Sequence, residues 1–281
     1  MRLTRRSVIR AAVGATLGAA GLGAYAVAWE PHWLEIVRRD LPIRRLPQAL
    51  IGTTLVQLSD IHVGPRVDDA YVLDVFARVA ALAPDILAYT GDLVSFRDEG
   101  FFEQVERMYA APPRGRLATI GTCGNHEYGP RWIHGEIAAA LASLYERAGI
   151  RMLRNARLDV EGLQILGLDD LWSGRFDTAP ALAGLDRSRA MLALSHNPDT
   201  ADLDAWRGFD GWILAGHTHG GQVKPPFLPP PIVPVKNRRY TAGAFDLPGG
   251  RMMYVSRGVG HLYQVRFDVR PEVTVFTLQK A

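Results

Sequence analysis

Five times in this chain a short apolar run that reads as a buried strand stops at a cluster of polar side chains able to ligate a metal. Residues 54–58 run into Ser59-Asp60-Ile61-His62, residues 85–90 into Gly91-Asp92, and residues 117–122 into Gly124-Asn125-His126-Glu127. Residues 191–194 end at Ser195-His196-Asn197-Pro198, and residues 211–215 at Gly216-His217-Thr218-His219. Helical periodicity alternates with the early strands. Val72, Val75, Phe76, Val79 and Leu82 share one face before Pro84, and a second helix is expected over residues 101–111, closed by Pro112-Pro113. A third over 133–148 carries Ile137, Leu141, Leu144 and Tyr145 on one side, and further strands are expected at 163–168, 252–256 and 273–278. This alternation predicts an α/β fold.

In open α/β sheets, ligands bind beyond the carboxyl ends of the strands. One Asp or His at such an end is an ordinary cap or turn residue. Five ends that each supply Asp, His or Asn are a site. Glycines 91, 124, 216, 220 and 221 beside them allow backbone to crowd it.

Carboxylate, imidazole and amide oxygen form a mixed O/N donor set without thiolate, which suits Mn²⁺, iron or Zn²⁺ and argues against structural zinc or an iron–sulfur cluster. Asp60 and His62 lie two residues apart on an extended segment, so both can reach one ion. His217 and His219 share that spacing. The candidates Asp60, His62, Asp92, Asn125, His196, His217 and His219 are too many for one ion and suffice for two sharing a bridging carboxylate. Two ions about 3.5–4 Å apart generate hydroxide from bound water and clamp an attacked phosphoryl group. No covalent nucleophile is then needed, and the chain has neither a G-x-S-x-G elbow nor a plausible Cys–His pair. Its one cysteine, Cys123, sits at a strand end and reads as inert core.

The net charge of +3 sits in the first 30 residues, where Arg2, Arg5, Arg6 and Arg10 face Glu30 alone. The rest of the chain is near neutral, which weighs against nucleic acid as a partner. Arg5-Arg6 ahead of an Ala/Gly-rich apolar stretch over residues 11–29 resembles a twin-arginine export signal, with the twin-arginine translocase as partner. The alternative reading of the same flanks is an ordinary membrane anchor. Residues 1–29 are therefore expected to be a signal or anchor that puts the rest of the chain outside the cytoplasmic membrane. Residues 30–50, with Arg38, Arg39, Arg44 and Arg45, read as a basic juxtamembrane linker that binds anionic headgroups or is simply solvated.

Taken together, D-x-H at 60–62, G-D at 91–92, G-N-H-E at 124–127, His196 and G-H-x-H at 216–219 resemble the calcineurin-like metallophosphoesterase family. The resemblance runs from about residue 52 to the C-terminus, so residues 51–281 are expected to form that domain. It implies a four-layer α/β/β/α sandwich of two mixed sheets flanked by helices. By motif position it implies that Asp60, His62 and His219 bind one metal, that Asn125, His196 and His217 bind a second, and that Asp92 bridges them. His126 would stay off the metals and serve catalysis, facing the phosphate as a general acid. Many members of the family have a second carboxylate in G-D-x-x-D that supports this histidine; here the position is Ser95, and Asp98 or Glu127 is expected to replace it.

The segments 216–223, 256–260 and 265–278 are similar to bacterial membrane-associated phosphodiesterases of this family, including those that split the pyrophosphate of UDP-diacylglucosamine. Between them lies a proline-rich loop whose cations Lys224, Arg238 and Arg239 are candidates for holding a phosphate or a lipid surface. The expected function is hydrolysis of phosphodiesters or pyrophosphates in lipid or envelope material. Two other readings share the site: a membrane-tethered scaffold with an idle metal centre, and a nuclease or nucleotide phosphodiesterase.

Overall fold

Parallel strands buried on both faces read as continuous apolar runs, which is why the strands bearing the site were legible. The computed structural model describes residues 4–96 and 100–281. Among the described residues, two six-stranded sheets form. The first has the order β1 (Glu35–Ile43), β12 (Glu272–Lys280), β2 (Thr54–Leu58), β3 (Ile86–Thr90), β4 (Ala118–Thr122) and β5 (Arg151–Met152). The second has the order β10 (Gly243–Asp246), β11 (Met252–Val255), β9 (Trp212–Ala215), β8 (Met191–Leu194), β7 (Leu163–Gly167) and β6 (Ala156–Val160). Strands β2 to β5 run parallel, as do β7, β8, β9 and β11; β12 opposes β2, and β6 and β10 run antiparallel at the edges of the second sheet. Both sheets are mixed. The register aligns Leu58 with Tyr89 and Thr90 with Thr122, so the polar clusters that follow β2, β3 and β4 emerge at one level.

Side chains alternate along each strand and so serve two cores. Leu87 and Tyr89 face helices α2 (Asp69–Ala81), α3 (Phe101–Met108) and α4 (Gly135–Arg147), against Val75, Val105 and Leu141. Ile86 and Ala88 face the second sheet and meet Ile165, Leu192 and Leu214. Beneath the site Gln57 crosses this inter-sheet core, donating to Thr90 Oγ1 and Ala215 O at 2.9 Å each. The outer face of the second sheet, with Leu166, Ala193 and Ile213, is covered by Trp206, Phe209 and the single-turn helix α5 (Ala179–Leu182). The expected α/β/β/α sandwich is therefore present, with its fourth layer reduced to short turns. Cys123 is fully buried, as an inert core thiol should be.

The N-terminal region differs from the sequence reading. Residues 30–50 are not simply a linker: β1 occupies their centre and pairs in parallel with β12 along nine residues. Leu41 and Ile43 enter the inter-sheet core, whereas Arg38, Arg39 and Asp40 stay exposed. A half-exposed edge strand interrupted by charges shows neither a continuous apolar run nor a clean alternation, so it passed for linker. Arg44 and Arg45 bind Asp210 at 3.2 and 2.6 Å, engaging these cations with the domain itself. Ahead of β1, helix α1 (Arg5–Ala24) continues through a π turn (Tyr25–Trp29) and a 3₁₀ turn (Glu30–His32). The stretch Val8–His32 is long and apolar enough to cross a membrane, and nearly all of it is exposed.

Candidate metal centre

The loops leaving β2, β3, β4, β8 and β9 converge where the two sheets meet, and they bring together the residues expected there. Asp60, His62 and His219 place donor atoms close enough to hold one cation, as do Asp92, His196 and His217. A third triad, His62, Asp92 and His126, overlaps the first through His62 and the second through Asp92. His62 Nε2 lies 3.0 Å from His219 Nε2 and 3.7 Å from Asp92 Oδ2. On the other side of that carboxylate, His196 Nε2 is 3.1 Å from the same Oδ2. All seven expected ligand residues are buried, and five of them have left-handed backbone: Asp60 (φ 52°), His62 (54°), Asp92 (51°), His217 (70°) and His219 (51°). Non-glycine residues pay about 1–3 kcal/mol each for such conformations, which persist where the surroundings over-determine them. Gly91 also has positive φ (89°), and a Cβ there would come within 2.6 Å of His196 Nδ1, so the position requires glycine.

Partners outside the cluster fix the imidazoles. His196 Nδ1 sits 2.8 Å from Thr90 O, and His217 Nε2 sits 2.9 Å from Pro234 O. A carbonyl only accepts, so each of these nitrogens carries the proton and turns the other nitrogen toward the centre. Asp60 accepts the His217 N–H at 2.9 Å and the Ser59 hydroxyl at 2.6 Å. Burial holds His62 and His219 well below the usual imidazole range and His217 at about 3. Burial opposes charge on His196 too, but the Asp92 carboxylate outweighs it and pushes this imidazole up to about 10.

These residues fit divalent cations. Asn125 Oδ1 and His219 Nδ1 are buried with no hydrogen-bond partner among the described residues. The unpartnered Asn125 oxygen and Asp92, set between opposing imidazoles, are acceptors that a cation would satisfy, and His219 meets the cluster through its other nitrogen, Nε2. His126 is half-buried, with its ring 4.9 Å from that of His62 and its backbone N–H given to Asp92 Oδ1 at 2.9 Å.

The support expected for His126 lies elsewhere. Ser95 Oγ is 2.8 Å from His62 Nδ1, so the serine orients His62 and not His126. Glu127 is engaged as acceptor for backbone N–H groups of Asp92, Leu93, Val94 and Gly124. Asp98 lies outside the described residues.

Two grooves flank the centre. One of about 540 Å³ is lined by Pro65, Arg66, Ser95, Phe96, His126 and Leu262. The other, about 640 Å³, includes Trp132, Trp172, Asp199, Asp202, Lys236 and Asn237. Trp132 lies 6.3 Å from the His126 ring, and Trp172 packs edge-on against His217 at 4.2 Å. None of Lys224, Arg238 and Arg239 lines either groove. Arg238 donates to the carbonyls of Pro230 and Pro231, Arg239 lies over the Phe245 ring, and Lys224 is 4.0 Å from Asp268. The loop cation at the groove is Lys236. Sequence reasoning also missed Trp172 and buried Asp170, although β7 runs into Leu168-Asp169-Asp170 and so offers a sixth polar strand end.

The calcineurin-like phosphoesterase family profile matches residues 53–221, well over half of the chain. The chain belongs to this family. Among relatives, it is 31% identical to Phosphodiesterase YaeI of Escherichia coli (strain K12) across 98% of this chain and 99% of that one. It is 26% identical to UDP-2,3-diacylglucosamine pyrophosphatase LpxG of Chlamydia trachomatis, covering 87% and 89% of the two chains. It is 29% identical to a transmembrane protein with metallophosphoesterase domain of Danio rerio, across 99% of this chain and 63% of that one. The chain is a metallophosphoesterase, and its His/Asp clusters could hold the divalent metals that this family uses.

Proposed function

We propose that this metallophosphoesterase is a two-metal phosphodiesterase or pyrophosphatase acting on lipid-linked phosphate at a membrane surface. The observation that carries the reading is the overlap of three donor triads through His62 and Asp92. In it, Asp60, His62 and His219 would hold one ion, Asn125, His196 and His217 would hold the other, and Asp92 would serve both. Mn²⁺, iron or Zn²⁺ bound there would polarise phosphoryl oxygens and lower the pKa of coordinated water.

The chain's own groups do the rest. Thr90 O and Pro234 O lock the ring orientations of His196 and His217 before substrate arrives. His126, which lines a groove beside the triads, is placed to serve the departing oxygen as general acid. Two grooves abutting at His126 and Trp132 suit a phosphorus with substituents on both sides better than a monoester. Lys236 is the cation that meets the substrate in the wider groove. YaeI and LpxG, by name a phosphodiesterase and a pyrophosphatase, act in this substrate class. The N-terminal apolar helix supports a membrane location, and Arg5-Arg6 ahead of it supports twin-arginine export to the extracytoplasmic side.

The test uses the full chain in detergent, stripped of metal and reloaded with Mn²⁺. Bis-p-nitrophenyl phosphate and the p-nitrophenyl monoester are assayed side by side, with Asp92→Asn as control. Metal-dependent cleavage favouring the diester, lost in Asp92→Asn together with metal content, is expected. No turnover of either compound with two metals bound, or full activity in Asp92→Asn, would overturn the two-metal reading.

A further inference from the structure

We propose that the proline-rich loop of residues 224–234 is a second membrane contact, which inserts Phe227, Leu228 and Ile232 into the lipid interface beside the N-terminal helix. The inference rests on the reading that this helix is held in a bilayer. Phe227 is fully exposed and Leu228 and Ile232 are largely so, an unusual cluster on a loop stiffened by Pro225, Pro226, Pro229, Pro230 and Pro231. Phe227 also has φ 67°, a left-handed conformation that is an outlier for a bulky residue. A strained backbone that holds an aromatic ring out in solvent gains nothing within the fold. It is accounted for if the ring has an apolar medium to enter.

The position of the loop identifies that medium. Lys224 N donates to Phe267 O, and Phe267 N donates to Gln222 O, at 2.9 Å each, so the loop springs from a strand-like pairing with residue 267. The other side of the same segment carries the base of the N-terminal helix. Tyr25 packs edge-on against Phe267, Gln264 Nε2 donates to Val27 O, and Arg266 N donates to Ala26 O at 2.9 Å. The loop therefore leaves the body next to the point where the helix leaves it.

Around this point lie exposed Trp29, Trp33 and Tyr263. Arg270 sits 3.5 Å over the Trp33 ring and Arg66 4.9 Å over that of Tyr263. Exposed aromatic rings paired with cations are the composition of a membrane–water interface. At its far end the loop reaches the centre, where Pro234 O accepts from His217 and Lys236 N is tied to Asp199. A loop seated in lipid would thus set the grooves at the height of the headgroups, where the phosphate of a lipid-linked substrate lies.

Because Cys123 is the sole cysteine and is fully buried, an introduced cysteine can be labelled selectively. The full chain is reconstituted into vesicles of phosphatidylethanolamine and phosphatidylglycerol with an environment-sensitive fluorophore at Phe227→Cys or Ile232→Cys. Reference probes are Leu17→Cys in the helix and Glu161→Cys, exposed at the opposite ends of the strands. Acyl-chain doxyl lipids should quench the probes at 17, 227 and 232 several-fold more than the one at 161. Quenching at 17 without quenching at 227 and 232 would overturn the inference and leave the anchored helix standing. Loss of quenching at all four sites would overturn the anchoring as well. Equal quenching at all four would mean indiscriminate adsorption, which also defeats it.

Discussion

The Glu127 carboxylate accepts the backbone N–H of Gly124 at 2.6 Å and that of Asp92 at 3.1 Å, tying the loop after β3 to the loop after β4. Leu93 and Val94 donate to the same carboxylate at 2.8 and 3.3 Å. Burial, with Asp92 nearby, pushes Glu127 up to about 8, while the amide donors pull the other way. Its role is to hold two ligand loops in register. Glu127→Ala would strand four buried N–H groups at about 1–3 kcal/mol each before any relaxation, so a loss of at least about 3 kcal/mol is expected. Urea denaturation and metal content read this together. A variant with wild-type stability and full metal content would remove Glu127 from the framework.

Ser95 bears on metal affinity. Its hydroxyl fixes the His62 ring through Nδ1, and partners of this kind typically contribute 10–100-fold, as an order of magnitude, to metal binding. Ser95→Ala should weaken Mn²⁺ binding by about that factor in a competition titration, while turnover at saturating metal stays close to wild type. A large fall in turnover with unchanged metal affinity would instead place Ser95 beside His126.

His126→Ala separates ligation from proton transfer. If His126 stands off the metals, the variant keeps both ions and loses turnover by about 10²–10⁴-fold, more for poor leaving groups than for p-nitrophenolate. Metal analysis and a leaving-group series decide it. Loss of an ion would make His126 a ligand, as its membership of the third triad allows.

How much of this was legible in the sequence depended on burial. β3, β8 and β9 are buried at every residue, so they stood out as apolar runs whose ends marked ligand loops; β7 is as fully buried, yet the acidic pair after it was passed over. β1 was hidden because only Leu41 and Ile43 at its end enter a core while Arg38, Arg39 and Asp40 face water. Asp92, His196, His217 and His219 follow such runs, and Asp60, His62 and Asn125 follow β2 and β4, whose site-proximal residues are buried. What surrounds them was not. The partner of Ser95 is His62, 33 positions away, and nothing local in the sequence distinguishes that contact from one to His126. Trp172 reaches His217 across 45 positions by a loop path that periodicity does not specify. The charges on Arg238 and Arg239 suggested substrate contact, but the loop's own carbonyls and the Phe245 ring on β10 are nearer partners.

Metal loading should release a proton, because the Asp92 carboxylate 3.1 Å away raises His196 to about 10. Near neutral pH the metal-free centre then holds that imidazole in its charged form, and a cation entering between His196 and Asp92 must displace the proton. His62, His217 and His219 are held below the usual range by burial and are already neutral, so they contribute none. Affinity for Mn²⁺ should therefore rise about tenfold per pH unit above pH 7, with about one proton released per centre filled. Below about pH 6 the slope should steepen, because burial raises Asp60 to about 6 and it begins to bind a second proton. Calorimetric titration in buffers of different ionisation enthalpy counts the protons directly. Binding with no proton release near neutral pH would mean that His196 is neutral before the metal arrives and that the Asp92 carboxylate does not govern its charge.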